Sequence, residues 1–130
     1  MKYFTFREVV KSSNYPDLQA KTLPVDVAEN ARLLSENILD PLREAYGKAI
    51  YVNSWYRPES LNRAVGGAGS SQHLTGQAAD IRGATLTETR KLGKLIQDLS
   101  LPFDQLIYEP TWIHVSYGPR HRRQVLKASK

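Results

Sequence analysis

Two of the chain's three histidines and one aspartate stand where they could share a ligand. His73 and Asp80 lie seven positions apart in Ser70-Ser-Gln-His-Leu-Thr-Gly-Gln-Ala-Ala-Asp80, with Gly76 as a turn former between them. His114 follows in the run Trp112-Ile-His-Val-Ser-Tyr117. Two imidazoles and one carboxylate make a three-ligand zinc set of the kind that leaves a fourth position open for water. Zinc held this way brings the pKa of that water to about 7, so hydroxide becomes available for attack near neutrality. A general base must still take and return the proton. Glu109 is the nearest acidic candidate, in the turn just before the strand that carries His114.

Each residue taken alone also has a plainer reading. A histidine on a strand is more often a hydrogen-bonded packing residue than a ligand, and a bare His-to-Asp spacing arises often by chance. Arg57 could be a solvated loop charge or could stack on Trp55; Ser71 could be a turn residue, Glu109 a turn carboxylate, and His121 ordinary surface. The elements that carry these residues therefore decide whether they meet.

The run Ala78 to Ile81 reads as a strand, and so does Trp112 to Tyr117. Period-two alternation sends Ala78 and Asp80 to one face of the first, and Trp112, His114 and Ser116 to one face of the second. If the two strands are neighbours, His73, Asp80 and His114 converge. Around them, Val27, Ala31, Leu34, Ile38, Leu42 and Ala45 recur at helical steps after Pro24, with Gly47 as the stop. Pro41 falls inside that pattern and predicts a kink or a split. Ile50 to Ser54 reads as a strand leading into a loop at Trp55-Tyr-Arg-Pro58, and a short helix spans Pro58 to Val65, closed by Gly66-Gly67. A further helix from about Thr87 to Leu99 presents Leu92, Leu95, Ile96 and Leu99. Phe103 to Tyr108 and Trp112 to Tyr117 form a hairpin across Glu109-Pro110-Thr111. Helices with short antiparallel strands around them predict an α+β domain.

At 130 residues the chain matches one ordinary domain, expected over 1–118, and its 41% hydrophobic and 24% charged content is that of a globular protein. The absence of cysteine excludes disulfides, thiolate metal sites and thiol nucleophiles. The net charge of +5 is concentrated at the C-terminus, where Arg120, Arg122, Arg123, Lys127 and Lys130 occur without an acid. Residues 119–130 thus read as a basic tail, a solvated terminus or a contact for an anionic polymer such as a bacterial wall. With no aromatic residue interleaved in it, a nucleic-acid partner is not expected. Arg7 and Glu8 interrupt the apolar core that a signal peptide would need, and no window is long enough for a membrane span. The expectation is a monomer made in the cytoplasm.

Taken together, these residues resemble a known family. Ser71-Gln-His73-Leu-Thr-Gly76-Gln-Ala78-Ala-Asp80 matches the S-x-H-x-x-G-x-A-x-D signature of the zinc D-Ala-D-Ala carboxypeptidases and L,D-endopeptidases (M15-like peptidases), and Trp112-Ile-His114 matches the W-x-H that follows it. Val52-Asn-Ser-Trp-Tyr-Arg57 is similar to the family's V-x-S-G-Y-R segment, and the likeness runs through Leu61-Asn-Arg-Ala-Val-Gly-Gly67 and Phe103-Asp-Gln-Leu-Ile107. The resemblance implies a Hedgehog/DD-peptidase-like fold, Zn²⁺ held by His73, Asp80 and His114, and a peptidoglycan peptide substrate. It also implies that Arg57 faces a substrate carboxylate or carbonyl oxygen, that Ser71 bonds substrate or orients the site, and that Trp112 forms the pocket wall. The small single-domain members it resembles are often phage-borne, which would bring the protein to the wall at lysis; turnover of recycled wall peptides is the alternative. A module that keeps zinc but cuts nothing is the reading of another class. One position departs from the pattern: several members place the catalytic acid three residues before the last histidine, where this chain has Thr111, so Glu109 is the acid on offer. Trp55 also stands where a glycine is common.

Overall fold

A computed structural model describes residues 1–12 and 14–128. Its first helix, α1 (Phe6–Val10), begins at a capping box that the sequence carries as Thr5-Phe-Arg-Glu8: the Glu8 N–H donates to Thr5 Oγ1 at 3.3 Å and the Thr5 N–H to Glu8 Oε1 at 2.9 Å. The long helical pattern becomes α2 (Val25–Leu34), a wider π turn over Ser35–Leu39, and α3 (Asp40–Tyr46). Pro41 was expected to kink or split this helix. It does not interrupt it, because the turn before the proline opens to an i→i−5 bond, Asp40 N–H to Ser35 O, and so makes room where a proline ring would press on the preceding turn. Gly47, at φ 75°, ends the helix as expected.

The sheet has five strands in the order β1-β2-β4-β3-β5: β1 (Tyr51–Ser54), β2 (Ala78–Arg82), β3 (Gln105–Tyr108), β4 (Ile113–Ser116) and β5 (Gln124–Lys127). The first four pair antiparallel, and the Glu109 N–H donates to Trp112 O across the β3–β4 turn. Helices α4 (Glu59–Ala64) and α5 (Leu86–Asp98) lie close to their expected limits. The architecture is α+β, as expected. Ala79, Ile81, Leu106, Ile113 and Val115 point to one side of the sheet, where they pack with Leu34, Ile38, Leu42, Leu92 and Ile96. That side is the core; the residues between them in sequence, Asp80, Ile107 and His114, face the other way. No helix among the described residues is long and apolar enough to cross a membrane.

The C-terminal segment, expected as a solvated basic tail, keeps residues 119–127 exposed but is ordered. Gln124–Lys127 add to the sheet as β5, parallel to β3. The cause is Asp104, a fully buried carboxylate just before β3. A charge removed from water requires compensation, and Arg122 supplies it: Nε reaches Oδ1 at 2.8 Å, Nη2 reaches Oδ2 at 3.1 Å, and the Arg122 backbone N–H donates to Oδ1 at 3.1 Å. Lys130, the last basic residue of that segment, lies outside the described residues.

Arg122→Ala should lower stability, since the buried carboxylate loses its nearer counter-ion and two side-chain hydrogen bonds while keeping Arg120, Gln72 and one backbone N–H, as read from urea denaturation at neutral pH. The hydrogen bonds from Arg122 overcome burial and hold the Asp104 carboxyl down at about 2, against an ordinary value of 3.8. A depressed carboxyl contributes stability that is present above the ordinary value and lost as pH falls from about 4 towards 2. The wild type should show that acid limb and Arg122→Ala should flatten it.

Candidate metal centre

His73 is placed by a short 3₁₀ turn, Gln72–Thr75, and each fixed type around it has a geometric duty. Ser71 caps the turn, its Oγ accepting from the His73 N–H at 3.2 Å. Gly76 closes it in the left-handed region at φ 77°, where a Cβ would come within 2.9 Å of Val27 O and Cγ1 on α2. The loop after β1 holds the turn from the opposite side: the Arg57 N–H donates to His73 O at 2.9 Å, and the buried Trp55 donates from Nε1 to Gly76 O at 3.0 Å.

The same loop fixes the ring. His73 Nδ1 lies 2.6 Å from Trp55 O. A carbonyl oxygen can only accept, so Nδ1 carries a proton, and Nε2, 3.2 Å from Asp80 Oδ1, is the ring nitrogen available to a metal. Asp80 and His114 face each other across β2 and β4 in register, with His114 Nδ1 at 3.0 Å from the same Oδ1. One carboxylate oxygen therefore meets two imidazole nitrogens. An unprotonated nitrogen against a carboxylate oxygen is repulsive unless a proton or a cation lies between them, and the three ligand atoms sit within 4.8 Å of one another. The donor set fits a divalent metal bound by two imidazoles and a carboxylate. Burial alone would raise the Asp80 carboxyl, but positive charge on His73 and hydrogen bonds from both rings, wherever the nitrogens facing it carry protons, outweigh burial and hold the carboxyl well below the usual range.

Arg57 stands beside the carboxylate, Nη2 to Asp80 Oδ2 at 3.9 Å, with Nη1 donating to Asn62 Oδ1 at 3.1 Å and a buried Nε that has no partner among the described residues. It lines two depressions. A cleft of about 490 Å³ contains Ser71, His73, Glu109 and His114. A groove of about 290 Å³ contains Asn53, Ser54, Val65, Asp80 and Trp112. Of the residues singled out by sequence, His73, Asp80 and His114 meet directly, and Ser71 and Glu109 share the cleft with the histidines. Trp112 lines the second groove together with Arg57 and Asp80. Sequence reasoning missed Trp55 as the orienter of His73, because the group that acts is a backbone carbonyl, which side-chain type does not reveal. It also missed Asp104 and its arginine; the one available signal was a lone carboxylate entering the apolar run Phe103 to Ile107.

Gly76→Ala should cost about 2 kcal/mol from left-handed backbone strain and contact with α2, measurable by urea denaturation, and should weaken metal affinity because the turn bearing His73 must shift. At a free metal concentration a hundred times Kd, the wild type should gain about 10 °C in Tm, and Asp80→Ala should gain nothing.

The sequence model of the Peptidase M15 family matches residues 3–116, a span that contains the three converging side chains, Arg57, Ser71 and Glu109. No curated protein matches the chain closely enough to be informative. With the match covering most of the sequence and a metal-competent His-Asp-His set in its cleft, the chain belongs to the M15 peptidase family and is a metallopeptidase.

Proposed function

We propose that this protein is a zinc peptidase that hydrolyses peptide bonds of bacterial peptidoglycan. The observation that carries the reading is the convergence of His73 Nε2 and His114 Nδ1 on Asp80 Oδ1 at the edge of an open cleft. Zinc, when bound there, supplies a Lewis acid that lowers the pKa of water and polarises a carbonyl oxygen. The chain's own groups do the rest. Asp80 stays ionised and His73 is locked in the tautomer that offers Nε2. Arg57 turns its guanidinium fork towards the scissile carbonyl, where it stabilises charge that develops on oxygen. Glu109, in the same cleft as both histidines, accepts a proton as the water oxygen adds to the carbonyl carbon, and returns it to the amine nitrogen as the C–N bond breaks. Ser71 holds the turn of His73 and offers its face of the cleft to substrate; Trp112 walls the second groove.

Arg57 lines two depressions, and a peptide that occupied both would extend beyond the scissile bond in each direction, which favours an endopeptidase over release of a single terminal residue. Purified peptidoglycan digested by the zinc-loaded protein should yield internal stem-peptide fragments by mass spectrometry, with free D-alanine a minor product. Glu109→Gln should retain about one equivalent of zinc by metal analysis while peptide release falls by about 10² or more. A wild type that binds zinc and releases no peptide would make the protein a non-catalytic wall-binding module.

A further inference from the structure

The basic C-terminal segment brings two arginines to the larger cleft, Arg120 and Arg122, alongside Arg57 and the metal-site histidines. Both reach Asp104, but Arg122 is the nearer partner and makes its hydrogen bonds. Asp104 accepts from the Arg122 backbone N–H and Nε on Oδ1, and from Arg122 Nη2 and Gln72 Nε2 on Oδ2. A carboxylate offers about four lone-pair sites, so its acceptor capacity is full. Arg120 stands behind these donors with Nη2 at 3.5 Å from Oδ2, and its side chain is 60% exposed. With Arg122 already making the short contacts to Asp104, the exposed remainder of the Arg120 fork can meet a second anion. The backbone maintains this arrangement at a local cost: His121 and Arg123, on either side of Arg122, both adopt left-handed conformations, at φ 42° and 50°. Glu109 is the one acidic residue among those that line the cleft.

We infer that Arg120 is a specificity-determining residue that binds a free carboxylate of the peptide at a distance from the scissile bond, so that acidic stem peptides are selected over neutral ones. Arg122 acts as its positioning residue, neutralising Asp104 so that Arg120 does not have to. This rests on the peptidase reading for the identity of the ligand as a peptide, and the binding measurement separates the two because it needs no turnover.

The test uses the full chain without metal and two probes: acetyl-L-Ala-D-Glu-L-Lys with both carboxyls free, and the same peptide with both amidated. Calorimetry at low ionic strength should give the wild type about tenfold tighter binding of the acid, the size expected of one charge-assisted contact. Arg120→Ala should bring the two peptides within about twofold while leaving amide binding unchanged, and Arg120→Glu should prefer the amide. Lys127→Ala, which removes the same charge from β5, should keep the wild-type preference. Far-UV circular dichroism and Tm confirm that each variant is folded. The inference is overturned if Arg120→Ala keeps the preference, if the wild type shows none, or if it binds neither peptide. A preserved preference in a zinc-loaded protein that releases nothing from peptidoglycan would sink the peptidase reading and leave the carboxylate site standing.

Discussion

The structure depends on a single oxygen. Asp80 Oδ1 receives an imidazole nitrogen from His73 at 3.2 Å and another from His114 at 3.0 Å, in surroundings that are largely buried. Such a cluster is tolerable only when a cation or protons occupy the space between the nitrogens and the oxygen. Two strands must be neighbours, in one register, for Asp80 to oppose His114, and a slip of a single residue would turn either side chain into the core. The Ile81–Ile113 and Ala79–Val115 pairs on the opposite face prevent that slip. Packing on one side of the sheet thus secures the chemistry on the other.

The third ligand comes from a turn instead of a strand, and turns move more easily than ladders. Here the loop after β1 removes that freedom. Trp55 is fully buried, edge-on to Phe4 with ring centroids 6.2 Å apart, and it grips the turn twice: Nε1 to Gly76 O, and its own carbonyl to His73 Nδ1. Trp55 is therefore a support for the site. The contact from Trp55 O also selects the histidine tautomer, which keeps the lone pair of Nε2 available for a metal.

Electrostatics divide the molecule in the same way. The excess positive charge of the sequence stays on the surface but is ordered; part of it folds back through Arg122 to neutralise Asp104, and part of it reaches the cleft wall through Arg120. Gln72, next to His73 in sequence, joins the same carboxylate. The C-terminal strand and the metal-site turn consequently share one buried anion, which couples the position of the last strand to the wall of the cleft.

The sequence by itself determined the helices at 25–46 and 86–98, the hairpin of β3 and β4, and the identities of the three converging residues, because apolar periodicity and turn chemistry are local and the spacing Ser71, His73, Gly76, Ala78, Asp80 is a backbone requirement written in residue types. It also carried the Thr5-to-Glu8 capping box of α1. Folding alone brings β2 beside β4, opens a π turn ahead of Pro41, orients His73 through the Trp55 carbonyl, and pairs residues after Pro119 as β5. Those features rest on pairings between residues far apart in the chain, Asp104 with Arg122 and Trp55 with His73 among them. Long-range pairing is settled by burial and by the need to satisfy every buried charge and polar group, neither of which can be evaluated until the chain has folded.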